Sequence, residues 1–334
     1  MDVFSYLLGR KSGGGGGSPG GGGGGGGGGS NEDWIIGDGN THLWITLQEG
    51  RTSPMLGVCP NGTVTVDWGD GSAPDVLTGT STSTVVYTPN HAYAKAGDYV
   101  ITLTVDGEMG FSGVSESFAD ACILRHSSAS DSRNGTYQNA LKKIEMGNNV
   151  RTIGNRAFTG CFGLTSVTMS SSVTSMGGYA FAACYSLRNI IMSINIPSIV
   201  DDTFQQCYSL TNLTIPDSVR TIGQYSFDGC RALTSITIPN GVTSIGQRAF
   251  QTCTSLVTIV IPNGVTSIAR GTFAYCNGAK FYDFTNHTTV PTLLTTDAFS
   301  NIPADAEIRV PAALVDEWKA ATNWSTYADN IVGV

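Results

Sequence analysis

The sequence predicts a mainly β chain: a solenoid of 23-residue coils, preceded by a small β-sandwich and a flexible glycine-rich tail. Three observations predict it. Phenylalanine recurs at 158, 181, 204, 227, 250 and 273 and cysteine at 161, 184, 207, 230, 253 and 276, each interval being 23 residues. Residues 64–105 carry runs that alternate apolar and polar side chains, broken by Gly-Asp turns, and residues 12–30 are almost wholly glycine. A fixed period marks a repeat array, in which one unit cannot close its own core and stacking buries it.

From the start of the chain, residues 1–30 read as an anchor peptide on a poly-glycine linker. Val3, Phe4, Tyr6, Leu7 and Leu8 form an apolar cluster, and Arg10 and Lys11 follow it. A secretion signal has its positive charges first and a longer apolar run, so an attachment peptide is the better expectation. The glycine tract cannot bury apolar surface or offset its chain entropy. As a flexible coil it reaches roughly 24 Å.

Residues 31–112 read as the β-sandwich. Val64-Thr65-Val66-Asp67-Trp68 alternates before the tight turn Gly69-Asp70-Gly71-Ser72, and Tyr99–Val105 alternates again after Gly97-Asp98. Asp67 and Asp70 are expected to hold that turn; calcium is the lesser reading, because it asks for six or more oxygens. Residues 113–140, rich in Ser, Asn and Asp around Cys122-Ile123-Leu124, read as a connector.

The solenoid is expected over 141–289. Leu164, Leu187, Leu210, Leu233 and Leu256 keep the period, as do the pairs Val167/Met169, Ile190/Met192, Leu213/Ile215, Ile236/Ile238 and Ile259/Ile261. Leu-x-x-Ile-x-Ile supplies a short strand with alternate residues inward. Val-x-x-Ile, at 219–222 and its equivalents (Val173/Met176 in the first), supplies a second edge, and Ala-Phe-x-x-Cys is expected to be a helical turn capping the interior. Pro-Asn-Gly at 239–241 and 262–264 makes the turn between edges. Beyond Val290 the period breaks, Phe273 to Phe299 being 26 residues, which suits a C-terminal cap over 290–334.

Two resemblances add to this reading. The 23-residue units, with the tail's Ile308-Arg309-Val310-Pro311, Trp318 and Trp324, resemble the BspA-like leucine-rich repeats of bacterial and phage surface proteins. That resemblance implies a leucine-rich repeat solenoid, adhesion or ligand recognition, and no catalytic residues. The strings VDWGDGS, HAY and AGDYVITLTV resemble the PKD-like, immunoglobulin-type modules of bacterial surface proteins, in which the Asp-Gly turn is structural.

Composition narrows the function classes. Only 13% of residues are charged and the net charge is −8. Residues 141–290 carry ten Lys/Arg against six Asp/Glu, and the remainder eight against twenty. Without a dense basic cluster, nucleic acid finds few counter-charges. No stretch of about 20 apolar residues exists to span a membrane. His42, His91, His126 and His287 lie far apart, and no nucleophile, metallohydrolase or phosphate-loop motif accompanies them. The expectation is therefore no enzyme and no cofactor. The periodic cysteines are expected to form a buried ladder of free thiols rather than disulfides or a zinc site, since no coil offers four convergent ligands.

What remains is surface. Adding 23 repeatedly defines two outward columns: Phe162, Tyr185 and Tyr208 behind the cysteines, and Arg156, Tyr179, Asp202, Tyr225 and Arg248 before the phenylalanines. Varied identities on a periodic frame are where recognition can be placed, and Tyr and Arg carry much of the energy of interfaces. The seven aromatic and Arg residues of these columns are the candidate ligand-binding residues, with a host surface glycan or protein as partner. The N-terminal peptide would attach to a virion structural protein, which makes a phage fibre or decoration component the first expectation. A bacterial cell-surface adhesin is the alternative, and an architectural spacer the third.

Overall fold

The computed structural model describes residues 38–49, 52–81, 86–112, 124–126 and 134–334. The anchor residues Val3, Phe4, Tyr6, Leu7 and Leu8 and the glycine tract lie outside the described residues, as does Cys122. Described residues from Gly37 onward belong to one compact unit.

The N-terminal strands are β1 (Thr41–Leu47), β2 (Pro54–Leu56), β3 (Cys59–Asp67), β4 (Asp75–Thr80), β5 (Gly97–Phe111) and β6 (Leu124–His126). Alternation decides their faces: Leu43, Ile45 and Leu47 of β1 and Val64 and Val66 of β3 are buried. β5 pairs antiparallel with β1 and β3, and β3 with β4, while β2 and β6 form a separate two-stranded sheet.

The expected boundaries at 112 and 140 do not interrupt the sheet. β1 pairs antiparallel with β7 (Leu141–Glu145), and β5 pairs in parallel with β8 (Val150–Ile153). The N-terminal strands thus continue the first coil's sheet instead of forming a self-contained module. The physical reason is that an end coil leaves apolar side chains and main-chain groups unpaired, and strands laid on it satisfy both.

Each later coil adds one short strand to each of two parallel ladders. In the first, Lys143–Glu145 pairs with Ser166–Thr168, then Asn189–Ile191, then Asn212–Leu213; it resumes from Ser235–Thr237 through Thr258–Val260 and Phe281–Asp283 to 307–309. In the second, Ser175–Met176 pairs with 152–153, Ser198–Ile199 runs through Thr221–Ile222 to Ser244–Ile245, and Ser267–Ile268 pairs with Thr292–Leu293. Val167, Ile190, Ile236 and Ile259 of the first ladder and Met176, Ile199, Ile222 and Ile245 of the second point into the core.

The Ala-Phe-x-x-Cys segment is not a helical turn. Cys161 N–H bonds the Phe158 carbonyl at 3.2 Å, and the next three coils repeat this i+3 bond. The Phe158 N–H, however, bonds the Ala180 carbonyl of the next coil at 2.8 Å, so the segment is stitched between coils as well as within one. Left-handed residues precede it and stand inside it. Arg156, Tyr179, Asp202, Tyr225 and Arg248 have φ between 51° and 58°, with Gly271 at 59°; Ala183, Gln206, Thr252 and Tyr275 have φ between 56° and 62° in a second column completed by Gly160 and Gly229. A right-handed helix cannot pass through such positions.

The C-terminal residues close the other end. Helix α1 (Val315–Ala320) brings in Trp318, which packs with Trp324 and Phe284, and Trp324 donates to the Pro291 carbonyl at 2.7 Å. Trp318 and Trp324 are fully buried.

Candidate functional site

The six periodic cysteines are buried and free. From Cys184 to Cys276 each thiol donates to the carbonyl of the phenylalanine 26 residues earlier, at 3.1–3.3 Å. Serine would fit that donor role but lose apolar contact; cysteine combines a weak donor with a small hydrophobe. Burial raises these thiols, Cys207 and Cys276 to about 12 and Cys230 and Cys253 well above their ordinary value. A thiol so raised holds little thiolate at neutral pH and is a poor nucleophile. Among the described residues no group of three or more His, Cys, Asp or Glu side chains is placed to hold a metal ion.

The two outward columns are brought together by the coil rise. Phe162 stacks on Tyr185 at 4.7 Å and 7°, and Tyr185 on Tyr208 at 5.0 Å and 8°. The Arg231 guanidinium then lies over Tyr208 at 4.8 Å. All three rings are half-buried. Stacking leaves both faces of Tyr185 covered, so this column presents ring edges outward and not flat platforms.

In the other column Arg156 lies over Tyr179 at 5.0 Å and Arg248 over Tyr225 at 5.5 Å, with an Arg248 N–H donating to the Tyr225 hydroxyl. Asp202, expected to face outward with its column, is instead buried between the two tyrosines, where it accepts from the Tyr179 hydroxyl. Burial raises Asp202, with the neighbouring carboxylates Asp201 and Asp228 adding to it. Burial and the bond to Asp202 both raise Tyr179. Cation–π contact orients a guanidinium without neutralising it, so the column still presents charge on a rigid fork.

Sequence reasoning missed a third column beside this one. Asn155, Asp201, Gln224, Gln247 and Arg270 share the 23-residue register, with Gly178 in it. The Gln224 N–H donates to Asp201 Oδ1 at 2.8 Å and its Nε2 to Oδ2 at 3.0 Å, Gln247 donates to Gln224 at 3.0 Å, and Arg270 pairs with Asp297 at 3.0 Å. The signal was available by adding 23 at positions whose residue types look unremarkable one at a time.

In the N-terminal sheet, Asp67 accepts from the Gly69 N–H and Asp70 from the Ser72 N–H and from His91, at 2.7 Å for the last. The His91 bond holds Asp70 at about 2, below the usual carboxylate value. His91 stacks on the fully buried Trp68 at 5.1 Å, and Tyr93 donates to the Trp68 carbonyl. The Asp-Gly turn is thus tied into an aromatic cluster.

The profile of the BspA type leucine-rich repeat region matches residues 133–231 and 197–316, with six copies. The chain belongs to the BspA-type leucine-rich repeat family. Among solved structures it is similar to the T. pallidum leucine-rich repeat protein TpLRR, at 31% identity over 41% of this chain and 67% of that one, with a TM-score of 0.41. A leucine-rich repeat protein from Bacteroides ovatus is 25% identical over 52% of this chain, with a TM-score of 0.41; the chain spans about half (51%) of its length. The pneumococcal vaccine antigen PcpA is 14% identical over 58% and 66%, with a TM-score of 0.38. No curated protein matches the chain. As a member of the BspA-type family, the protein has its Phe and Cys ladders as the repeat's interior and its three outward columns as the variable part.

Proposed function

We propose that this BspA-type protein is a non-enzymatic recognition protein of the bacterial cell surface, and that its solenoid binds a surface glycan or protein through the outward columns. The observation that supports this reading most is the contrast within each coil. Phe, Cys and Leu repeat inside without variation from 158 to 256, while the column through Arg156 reads Arg, Tyr, Asp, Tyr, Arg, all but the buried Asp202 reaching the surface. Contacts that are weak at each coil sum when several are engaged together. Tyr179, Tyr225, Arg156 and Arg248 are the proposed contacts, with Phe162, Tyr185 and Tyr208 contributing ring edges. The N-terminal strands, with their PKD-like motifs, would hold the solenoid off the surface.

The test is binding of the fluorescently labelled full chain to whole bacterial and host cells across salt. Saturable binding, weakened by Arg156→Glu/Arg248→Glu and by rising salt, supports the reading, since exposed charge contacts are screened over about 8 Å at physiological salt. No binding to any cell or glycan would leave only the spacer. The virion reading comes second: it rests on the apolar peptide and glycine leash of residues 1–30, and no phage protein stands among the relatives above. Truncation of residues 1–30 tests it by loss of attachment to a particle.

A further inference from the structure

The ladder of Asp201, Gln224 and Gln247 has a gap one coil before it begins. At Gly178 the main-chain N–H still donates to Asn155 Oδ1 at 2.9 Å, as the Gln224 N–H does to Asp201. The side-chain rung is missing. Beside this gap runs an open groove of about 530 Å³ whose lining includes Asn155, Gly177, Gly178, Asp201 and Thr221. That volume falls within the roughly 300–1,000 Å³ of small-molecule sites.

Glycine is not required at 178 by the backbone. A Cβ there would meet the Asp201 carbonyl oxygen at 3.4 Å and Asn155 Oδ1 at 3.9 Å, both ordinary contacts. Gly177 differs: its Cβ would fall 2.4 Å from the Asn155 nitrogen. Equivalent positions two and three coils on hold glutamine. Gly177 therefore serves packing, while Gly178 keeps the groove open.

The groups facing the gap are complementary to a sugar. Asn155 offers its amide Nδ2–H, and the Asp201 carboxylate, with two of about four acceptor sites used by Gln224, offers the others. Thr221 adds a hydroxyl, and the half-buried Val200 adds apolar surface beside them. Adjacent hydroxyls of a sugar can accept from an amide while donating to a carboxylate. We propose that this groove is a subsite for one uncharged sugar residue, bound through a pair of neighbouring hydroxyls to Asn155 and Asp201. An acidic sugar is disfavoured, because Asp201 and Asp202 stand side by side. The proposal rests on the recognition reading above and names one of its contact sites.

The test is a titration of the isotope-labelled full chain with glucose, galactose and N-acetylglucosamine, with glucuronic acid alongside, following the amides of Gly177, Gly178, Thr221 and Gly223. The expected result is saturable shifts with at least one neutral sugar and none with glucuronic acid. Gly178→Gln, which completes the ladder, and Asp201→Asn should each weaken binding at least tenfold while the chain stays folded. If Gly178→Gln proves unstable, Asp201→Asn decides alone. No shifts with any neutral sugar, equal shifts with glucuronic acid, or undiminished binding by the variants overturns the subsite. Cell binding by the parent that Gly178→Gln fully retains overturns the subsite and leaves recognition standing. Absence of parental cell binding removes the recognition reading, and the sugar titration still decides the groove.

Discussion

Two aromatic ladders climb the same solenoid a few residues apart, and they obey different rules. The inner one, Phe158 through Phe273 to Phe299, stacks at 5.1–5.7 Å without a break, closed by Phe111 at one end and by Tyr282 and Trp324 at the other. The outer one has three rings, ends on Arg231, and continues as Thr254 and Asn277. Stacking distance does not separate them, since the outer rings lie as close. Burial does. Inside, any smaller side chain leaves a void in a packed interior, so identity is enforced. Outside, water fills what a missing ring leaves, and identity is free to serve contact with something else.

The largest way to test this contrast is Phe227→Ala. It should cost about 3–5 kcal/mol in denaturant unfolding, the usual loss for a buried Phe. Tyr185→Ala removes a ring with the same two stacking partners but half-buried, and should cost roughly 0.5–1.5 kcal/mol. Equal losses would mean that the outer ladder is core. A gain is expected at Gln206→Gly, which relieves a left-handed residue (φ 60°) where two other coils already have glycine. The net effect is about 0.5–1 kcal/mol, a left-handed cost of about 1–2 kcal/mol less the chain entropy of glycine. The smallest effect is Asp202→Asn. Burial raises Asp202, so its ionisation opposes folding at neutral pH and no longer does so once it is protonated. The variant should melt higher than the parent at pH 7, and the advantage should vanish below about pH 3.9, the unfolded carboxylate value. A constant difference across pH would place its origin elsewhere.

The ladders also show what could be read from the sequence. The period placed both strand edges and both ladders, because a coil's interior repeats only if the residues filling it repeat. The backbone of the turn edge was not legible. Its left-handed columns hold Arg, Tyr and Asp as readily as glycine, and these side chains carry no φ signal; the three glycines at 160, 229 and 271 were the available hint. The candidate columns were placed by arithmetic, but their chemistry was not: arithmetic gives neighbours and is silent on which ring faces the neighbours cover. Nor could a period reveal that β1 and β5 join the first coil, since β1 pairs across about a hundred residues and β5 across about forty, each only once. The Asp67 and Asp70 turn was legible because Gly69 and Gly71 (φ 78° and 83°) advertise it.

The coil-to-coil stitching has a mechanical consequence. Every coil bonds only to its two neighbours, through the two strand ladders and through the Phe N–H bonds of the turn edge. Under tension between its ends such a stack loads these bonds one coil at a time, as a zip does, and not all together as in a sheared sheet. Releasing one 23-residue coil frees about 80 Å of chain at roughly 3.5 Å per residue. Subtracting the coil's own rise of about 5 Å leaves steps near 75 Å. Pulled slowly, the solenoid should therefore lengthen in repeated small increments at low force, yielding reach before it yields its grip.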